Sequence, residues 1–396
     1  MKRGDRVKVG QLIGECDGFV SANIHSPASG TVAKVDMAYD ISGYRKLTIS
    51  VTVEGDEWVE NIDRSPGLNT SIMIPPSEII QKVLSAGIVG LGGASFPTHV
   101  KMTVPRGKHA GMVIINGVEC EPYLTADSAL MLEKPEEIII GVRILMRALE
   151  VEKAIIGIEN NKPDAIKRLE NLAAQERGIT VVPLQVKYPQ GGEKQLIKAL
   201  VNREVPSGAL PVDVGIVVFN VATTYAVYEA LQKNKPLIER VVTVTGPELK
   251  APGNFLVRIG TPVSRLIEAA GGLPLNTGKV ICGGPMMGKA INSIDEPVMK
   301  GISGVLLVPE EQAHRKPILN CIRCGKCVSV CPMGLEPYLL MGLGEKEMFE
   351  RLEREHVLDC IECGSCAFIC PANRPLLDYI RFGKSTVNKL IRSRKN

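Results

Sequence analysis

Eight cysteines near the end of the chain carry the clearest chemistry. Cys321-Ile-Arg-Cys324-Gly-Lys-Cys327-Val-Ser-Val-Cys331-Pro is echoed by Cys360-Ile-Glu-Cys363-Gly-Ser-Cys366-Ala-Phe-Ile-Cys370-Pro. Three cysteines at CxxCxxC spacing wrap one [4Fe–4S] cube, and the fourth, just before proline, lies too far along the chain and reaches the cube of the other run. The spacing therefore predicts a crossed assignment: Cys321, Cys324, Cys327 and Cys370 on one cluster, Cys360, Cys363, Cys366 and Cys331 on the other. Gly325 and Gly364 let the backbone turn tightly round each cube, and Pro332 and Pro371 stop it from winding on. Zinc sites take four ligands, usually in two pairs, and disulfides need an oxidising compartment for which nothing in the sequence speaks.

A second stretch with chemical content is Gly87-Ile-Val-Gly90-Leu-Gly92-Gly93-Ala-Ser-Phe96-Pro-Thr-His-Val-Lys101. Clustered glycines let backbone amides approach a phosphate or a flat ring, although such a cluster can equally serve only to turn the chain. Asn116-Gly-Val-Glu119-Cys-Glu121-Pro follows the first strand-like run and puts an amide and two carboxylates at its carboxyl end. Open α/β sheets bind ligands there.

The elements that must hold these groups fall into several units. At 396 residues, 45% hydrophobic and 23% charged, the chain is too long for one core and is expected to form roughly two to four domains. Residues 1–65 alternate in short strands broken by glycine turns, a small β-module in which His25 is expected to pack or cap a turn. From Pro75 helices and strands alternate, the sign of a largely parallel sheet over 75–235. Strand-like runs fall at Met112–Ile115, Ala154–Ile158, Thr180–Val186, Val214–Phe219 and Val241–Thr245, with helices at Pro163–Ala174 and Ala222–Leu231 and one that Ser77 caps. Residues 238–310 read as a hairpin, a helix at Ser264–Ala270 and a further strand, and 316–380 hold the cysteines. Residues 381–396 form a tail with six basic residues and no acid, able to meet anionic headgroups or an acidic partner or to remain a solvated end.

Several function classes are excluded. A net charge of +4 is small and spread along the chain, so no nucleic-acid partner is expected. The start, Met-Lys-Arg-Gly-Asp-Arg, lacks the apolar core of a signal peptide, and no stretch is apolar enough to span a bilayer, so a membrane role is expected to be peripheral. Cys16, Cys120 and Cys282, left over from the cluster ligands, suit reduced, buried thiols.

Gly90–Lys101 and Asn116–Pro122 together resemble the glycine loop, Gly-Phe-Pro-Thr and Asn-x-x-Glu-x-Glu-Pro of the flavin- and nicotinamide-binding subunit of respiratory complex I. Tyr188-Pro-Gln-Gly-Gly-Glu193-Lys and Asn220-Val-Ala-Thr223 extend the likeness, with departures at Leu91, Val118, Gly192 and Ala222. Gly4–Glu15 and His25–Val32 resemble the hammerhead of lipoyl and biotinyl carriers, but no lysine lies between Glu15 and Gly30 to carry the prosthetic group. The order hammerhead, flavin domain, β-grasp-like insert and two clusters resembles the RnfC subunits of the Rnf ion-translocating electron-transport complexes. Members of that family open with a segment containing Gly-Gly-x-His-Pro-Pro that is absent here, so the hammerhead is expected to begin mid-fold.

That resemblance implies a multidomain α/β protein: an N-terminal β hammerhead (barrel-sandwich hybrid), a Rossmann-like flavin domain, a β-grasp-like (SLBB) insert and an α-helical two-[4Fe–4S] ferredoxin-like domain. It implies FMN cradled by Gly90, Gly92, Gly93, Lys101, Asn116 and Glu119, with Asn220 and Thr223 near its phosphate. Glu121, Glu193 and Phe96 would line the nicotinamide side. Implied too are NAD(H) as substrate, ferredoxin as an indirect partner, membrane subunits that move Na⁺ or H⁺, and a place on the cytoplasmic face of the membrane. Competing readings are a soluble flavo-iron–sulfur reductase of the cobalamin-reductase kind, in which the flavin domain comes first, and a non-catalytic electron conduit.

Overall fold

A computed structural model describes residues 1–395; Asn396, the last residue of the expected basic tail, lies outside the described residues. Strands β1 (Arg6–Val7), β2 (Leu12–Gly14), β3 (Ile24–His25), β4 (Gly30–Tyr39) and β5 (Arg45–Val53) form a three-stranded sheet, β1-β4-β5, and a β2-β3 pair, all antiparallel. His25 is half-buried in β3 with Nδ1 unpartnered, and burial first, then Lys300, lowers its pKa to about 4, so it is a neutral packing group rather than a turn cap.

Next comes a four-stranded parallel sheet in the order β8-β7-β6-β9, from β6 (Met112–Gly117), β7 (Ala154–Glu159), β8 (Ile179–Leu184) and β9 (Ile216–Asn220). Both faces are covered, which is why its strands read as continuous apolar runs. On β6, Val113 and Ile115 enter one core while Ile114 enters the other. The first core is closed by α1 (Pro76–Ser85), α2 (Thr98–Met102), α3 (Ala126–Glu133), α4 (Pro135–Ala148), α5 (Pro163–Ala173) and α7 (Val221–Gln232); α6 (Glu193–Val201) covers the other face. Ser77 does not cap α1. Pro75 occupies the N-cap with no side-chain bond, and the helix starts instead on Pro76, whose missing N–H costs nothing there, with Glu78 in its first turn.

Val241–Thr245 lies outside the parallel sheet. It belongs to β10 (Glu239–Thr245), which with β11 (Gly253–Arg258), β12 (Thr277–Cys282), β13 (Lys289–Ala290) and β14 (Gly304–Pro309) forms a second sheet, β11-β10-β14-β12-β13, packed on α8 (Val263–Ala269). After the short α9 (Glu310–Ala313), the cysteine runs are carried by α10 (Lys326–Ser329), α11 (Pro337–Glu345), α12 (Phe349–Arg354), α13 (Ser365–Ile369) and α14 (Leu376–Lys395).

The separate tail from Arg381 is corrected: it is the body of α14. Leu376, Ile380 and Val387 bury one stripe of that helix against Leu340, Leu343 and Leu352, while Arg381 and Lys384 both pair with Glu362 at 3.1 Å. The apolar stripe that starts at Leu376 and Ile380 runs on into the basic stretch at Val387 and partly buried Ile391, and this decides it. Among the described residues no helix is long and apolar enough to cross a membrane.

The tightest helix contact in the parallel-sheet domain is at Gly141 on α4, where a Cβ would collide with Thr224 O of α7. A backbone carbonyl cannot step aside as a flexible side chain can. Gly141→Ala is therefore expected to lower stability by about 1–2 kcal/mol, the overpacking cost exceeding the gain in helix propensity; a urea midpoint above the wild-type value would contradict this packing.

Candidate functional site

The carboxyl ends of β6 and β9 gather most of the residues singled out in the sequence. Asn220 ends β9 and caps α7: its Oδ1 accepts from Ala222 N at 2.9 Å and Thr223 N at 3.3 Å, and its Nδ2 donates to Asp127 Oδ2 at 2.7 Å. Thr223 Oγ1 accepts from Leu91 N at 2.9 Å, which pins the glycine loop onto the start of α7. Gly92 lies so close that a Cβ would stand 3.4 Å from Asn220 Cβ. Gly93 has φ +108°, a backbone conformation open to glycine, and nothing lies within 4 Å of where its side chain would be. Gly90 N donates to Phe96 O at 2.8 Å, and the Phe96 side chain is 38% exposed rather than core.

Lys101, on α2, donates to Glu193 Oε1 at 2.5 Å and to Val218 O at 3.1 Å. Asn116 at the end of β6 donates to Gly191 O at 2.8 Å and accepts from Val118 N at 3.0 Å. The glycine loop, Phe96, Lys101, Asn116, Glu193, Asn220 and Thr223 are thus brought to one edge of the sheet. FMN fits this set: Gly93 leaves open backbone in the glycine loop, and Asn116 and Lys101, the latter paired with Glu193, put polar donors at the same edge.

Glu119 and Glu121 are engaged otherwise. Glu119 is buried and accepts from Asp127 N at 2.9 Å and Ser128 N at 3.2 Å at the start of α3, with Lys162 at 3.9 Å. Burial, then the Asp127 carboxylate, holds its carboxyl well above the usual range. Helix capping is its observed contact. Glu121 reaches into the second sheet's turn, where its carboxylate accepts from Met287 N at 2.7 Å and Met286 N at 3.1 Å; no side chain fits at Gly284, whose Cβ would run into Oε2. Both its oxygens are taken by backbone donors.

Sequence reasoning missed Arg240. It is buried in β10 and donates to Leu91 O at 3.2 Å and to Lys300 O, so the second sheet props the glycine loop from below. A lone arginine in the β-branched run Glu239–Thr245 was the available signal. Of the leftover thiols, Cys282 is buried as expected, whereas Cys120 accepts from Gly191 N at 3.3 Å beside the site and Cys16 is half-exposed.

The cysteine runs face each other. Cys331 lines one small cavity with Cys360, Cys363 and Cys366. Burial pushes the Cys366 thiol up to about 12, with Cys360, Cys363 and Cys331 adding to the push. Four crowded thiols are poor company for one another, and an iron–sulfur cube that takes them as thiolates suits this donor set. On the other side, Cys327 is raised by burial and, among its neighbours, by Cys370. The loop from Cys360 to Cys366 also touches the flavin-type domain, because Tyr188 Oη donates to Cys363 O at 2.5 Å.

Comparison with known proteins places this architecture. Residues 1–57 match the RnfC barrel sandwich hybrid domain, 83–229 the Nuo51 FMN-binding domain, 241–290 the SLBB domain and 316–371 the 4Fe-4S dicluster domain. Over 388 residues, 97% of this chain and 84% of the relative, the sequence is 47% identical to the C subunit of the proton-translocating ferredoxin:NAD(+) oxidoreductase complex of Clostridium ljungdahlii. The chain belongs to this RnfC family. Within the family it is 45% identical to the C subunit of the Na(+)-translocating ferredoxin:NAD(+) oxidoreductase complex of Acetobacterium woodii, covering 98% of this chain and 87% of the relative. It is 43% identical to the C subunit of the ion-translocating oxidoreductase complex of Rhodobacter capsulatus, covering 98% and 75%. The family's domains make FMN and two [4Fe–4S] clusters its cofactors. In fold, the chain is similar to the NAD+-reducing [NiFe]-hydrogenase in its air-oxidized state, with a TM-score of 0.56 at 18% identity over 79% of this chain and 66% of that one.

The Leu91–Thr223 bond generates a test. Thr223→Val leaves a buried N–H without an acceptor, at about 1–3 kcal/mol, and loosens the glycine loop. FMN retention measured by equilibrium dialysis is expected to fall about tenfold or more with iron content unchanged; undiminished retention would show that the loop does not hold FMN.

Proposed function

We propose that this chain is the NAD(H)-reactive, peripheral subunit of a membrane-bound ferredoxin:NAD+ oxidoreductase that translocates Na⁺ or H⁺, placed on the cytoplasmic face. It exchanges electrons with NAD(H) at one end and, through partner subunits, with ferredoxin at the other; the ion movement belongs to those partners. One observation carries this reading: a flavin-type edge and a four-thiol cavity are joined within one chain by the Tyr188–Cys363 hydrogen bond.

When bound, FMN converts between the electron pair of a hydride and the single electrons that iron–sulfur centres accept. The chain's own residues hold the two ends in place. Gly90, Gly92 and Gly93 would offer backbone to the flavin and Asn116 and Lys101 donors, while Asn220 and Thr223, which fix the start of α7 and tie it to the glycine loop, would stand near the phosphate. Glu193 neutralises Lys101 and stands ready to accept a hydrogen bond from the nicotinamide carboxamide or ribose, while Phe96 supplies a ring for stacking. Glu119 and Glu121 serve this site by fixing α3 and the second sheet's turn. No group is required as a general acid or base, because hydride transfer depends on stacking and distance. Cys321, Cys324, Cys327 and Cys370 are assigned to one cluster and Cys360, Cys363, Cys366 and Cys331 to the other.

The test is anaerobic addition of NADH to the chain reconstituted with FMN and iron–sulfide. Flavin absorbance is expected to bleach and cluster absorbance to follow. Glu193→Gln is expected to slow bleaching about tenfold or more, the loss of a charged hydrogen-bond partner, with cluster spectra intact. Retained FMN that NADH leaves oxidised would reduce the chain to an electron conduit.

A further inference from the structure

The two cysteine runs share a sequence pattern but not an environment. Equivalent glycines make the contrast: Gly325, φ +71°, has nothing within 4 Å of a would-be Cβ, whereas at Gly364, φ +80°, that Cβ would meet Met286 O at 2.8 Å. Around the second run, Tyr188 holds Cys363 O and Ile361 Cδ1 lies 3.4 Å from a would-be Cβ at Gly192; from the first run only its end, where Cys331 is assigned to the same cluster, meets the flavin domain, Gln195 Nε2 donating to Pro332 O at 3.3 Å. The flavin domain and the second sheet therefore close over the loop that holds Cys360, Cys363 and Cys366.

The first run is open over its leading part, whereas Cys327 and Cys331 are half-buried. Every residue from His314 to Lys326 is exposed, including Cys321 and Cys324, and three apolar side chains stand out around them: Ile318 at 57%, Leu319 at 57% and Ile322 at 68%. No acid occurs from His314 to Met333. Arg315 pairs with Asp378, while Lys316, Arg323 and Lys326 have no ion-pair partner among the described residues. The segment is nonetheless held in place, since Leu319 N donates to Ala372 O at 2.9 Å and Asn373 Nδ2 to Pro317 O at 3.1 Å. A fixed apolar patch ringed by unpaired cations over two cysteines is the form of a docking face for an acidic partner.

We propose that the Ile318–Lys326 face receives an acidic one-electron carrier protein, and that the loop of Cys360–Cys366 is the inner station, facing the flavin. This rests on the proposed function and adds to it an order along the chain: flavin domain, second cysteine run, first cysteine run, partner. Each passage moves one electron, oxidising one side by one as the other is reduced by one, with no bond made or broken, so two passages match one hydride's electron pair. A lipid surface would meet the same cations but would leave a redox centre beneath them without a use.

Two experiments on the full reconstituted chain test this. First, the chain is exposed to a strong iron chelator with iodoacetamide present, and labelled cysteines are followed by mass spectrometry. Cys321 and Cys324 are expected to be labelled well before Cys363 and Cys366; simultaneous or reversed labelling would overturn the assignment of inner and outer runs. This needs neither FMN nor NADH, so it stands apart from failure of the functional reading.

Second, clusters reduced with dithionite, then freed of it, are mixed in stopped flow with an oxidised acidic two-[4Fe–4S] ferredoxin as the probe. Lys316→Glu, alone and with Arg323→Glu and Lys326→Glu, is expected to slow transfer at low salt by about tenfold or more and to flatten its salt dependence. Lys316 lies outside the cysteine spacing, so the single variant remains informative if the triple variant loses iron. Lys187→Glu, on the flavin side, is expected to leave the rate unchanged. Transfer that is insensitive to Lys316→Glu, or slowed only by Lys187→Glu, would overturn the docking face. So would variants that lose binding to phosphatidylserine vesicles yet keep the transfer rate.

Discussion

Everything downstream of the flavin edge depends on how the second cysteine run is seated. Its loop carries three of the four cysteines assigned to one cluster, and the flavin domain meets it through a hydrogen bond from Tyr188 to the carbonyl of Cys363 and through the packing of Ile361 against Gly192. Those contacts come from the loop between β8 and α6, whose other side receives the Asn116 amide at Gly191 O. One short loop therefore touches both a residue assigned to flavin and the chain that ligates iron. Electron transfer falls steeply with distance, so a rigid bridge of this kind is what the chemistry needs.

The second sheet makes the bridge rigid. Glu121 takes two backbone N–H groups from its Met286–Met287 turn, and that turn packs on Gly364. Arg240, from the same sheet, supports Leu91 in the glycine loop. Arg381 and Lys384 complete the frame by clamping Glu362 within the cysteine loop. Buried charges in this frame are costly singly and tolerated because each is paired or hydrogen-bonded. Residues that resemble a cofactor shell in sequence thus divide into those that face the ligand and those that hold domains together.

Legibility in the sequence follows the range of the interaction. CxxCxxC spacing and the apolar runs of β6 and β7 are local signals, and the domain order and parallel sheet are readable from them. The roles of Glu119 and Glu121 are not, because a carboxylate at a strand's carboxyl end looks the same whether it meets a ligand or a distant N–H. The partners of Glu121 lie 165 and 166 residues away. The basic stretch from Arg381 passes for a tail because its charges are conspicuous and its apolar stripe, buried Val387 and partly buried Ile391, is sparse. The cysteine spacing does not distinguish the two runs; the charges between the cysteines differ, Arg323 and Lys326 against Glu362 and Ser365, but which run lies inward is visible only in contacts such as those at Gly325 and Gly364.

Those two glycines offer the most direct measurement of the central claim. Both have positive φ, so Gly325→Ala and Gly364→Ala carry similar backbone strain, but only the second pushes a methyl group against Met286 O. In the chain reconstituted with FMN and both clusters, and matched for iron content, stopped flow would follow cluster reduction after NADH is added. The account predicts that Gly364→Ala slows cluster reduction about tenfold or more and that Gly325→Ala leaves it near wild type. Equal slowing by both, or slowing by Gly325→Ala alone, would contradict an inner station at the second cysteine run.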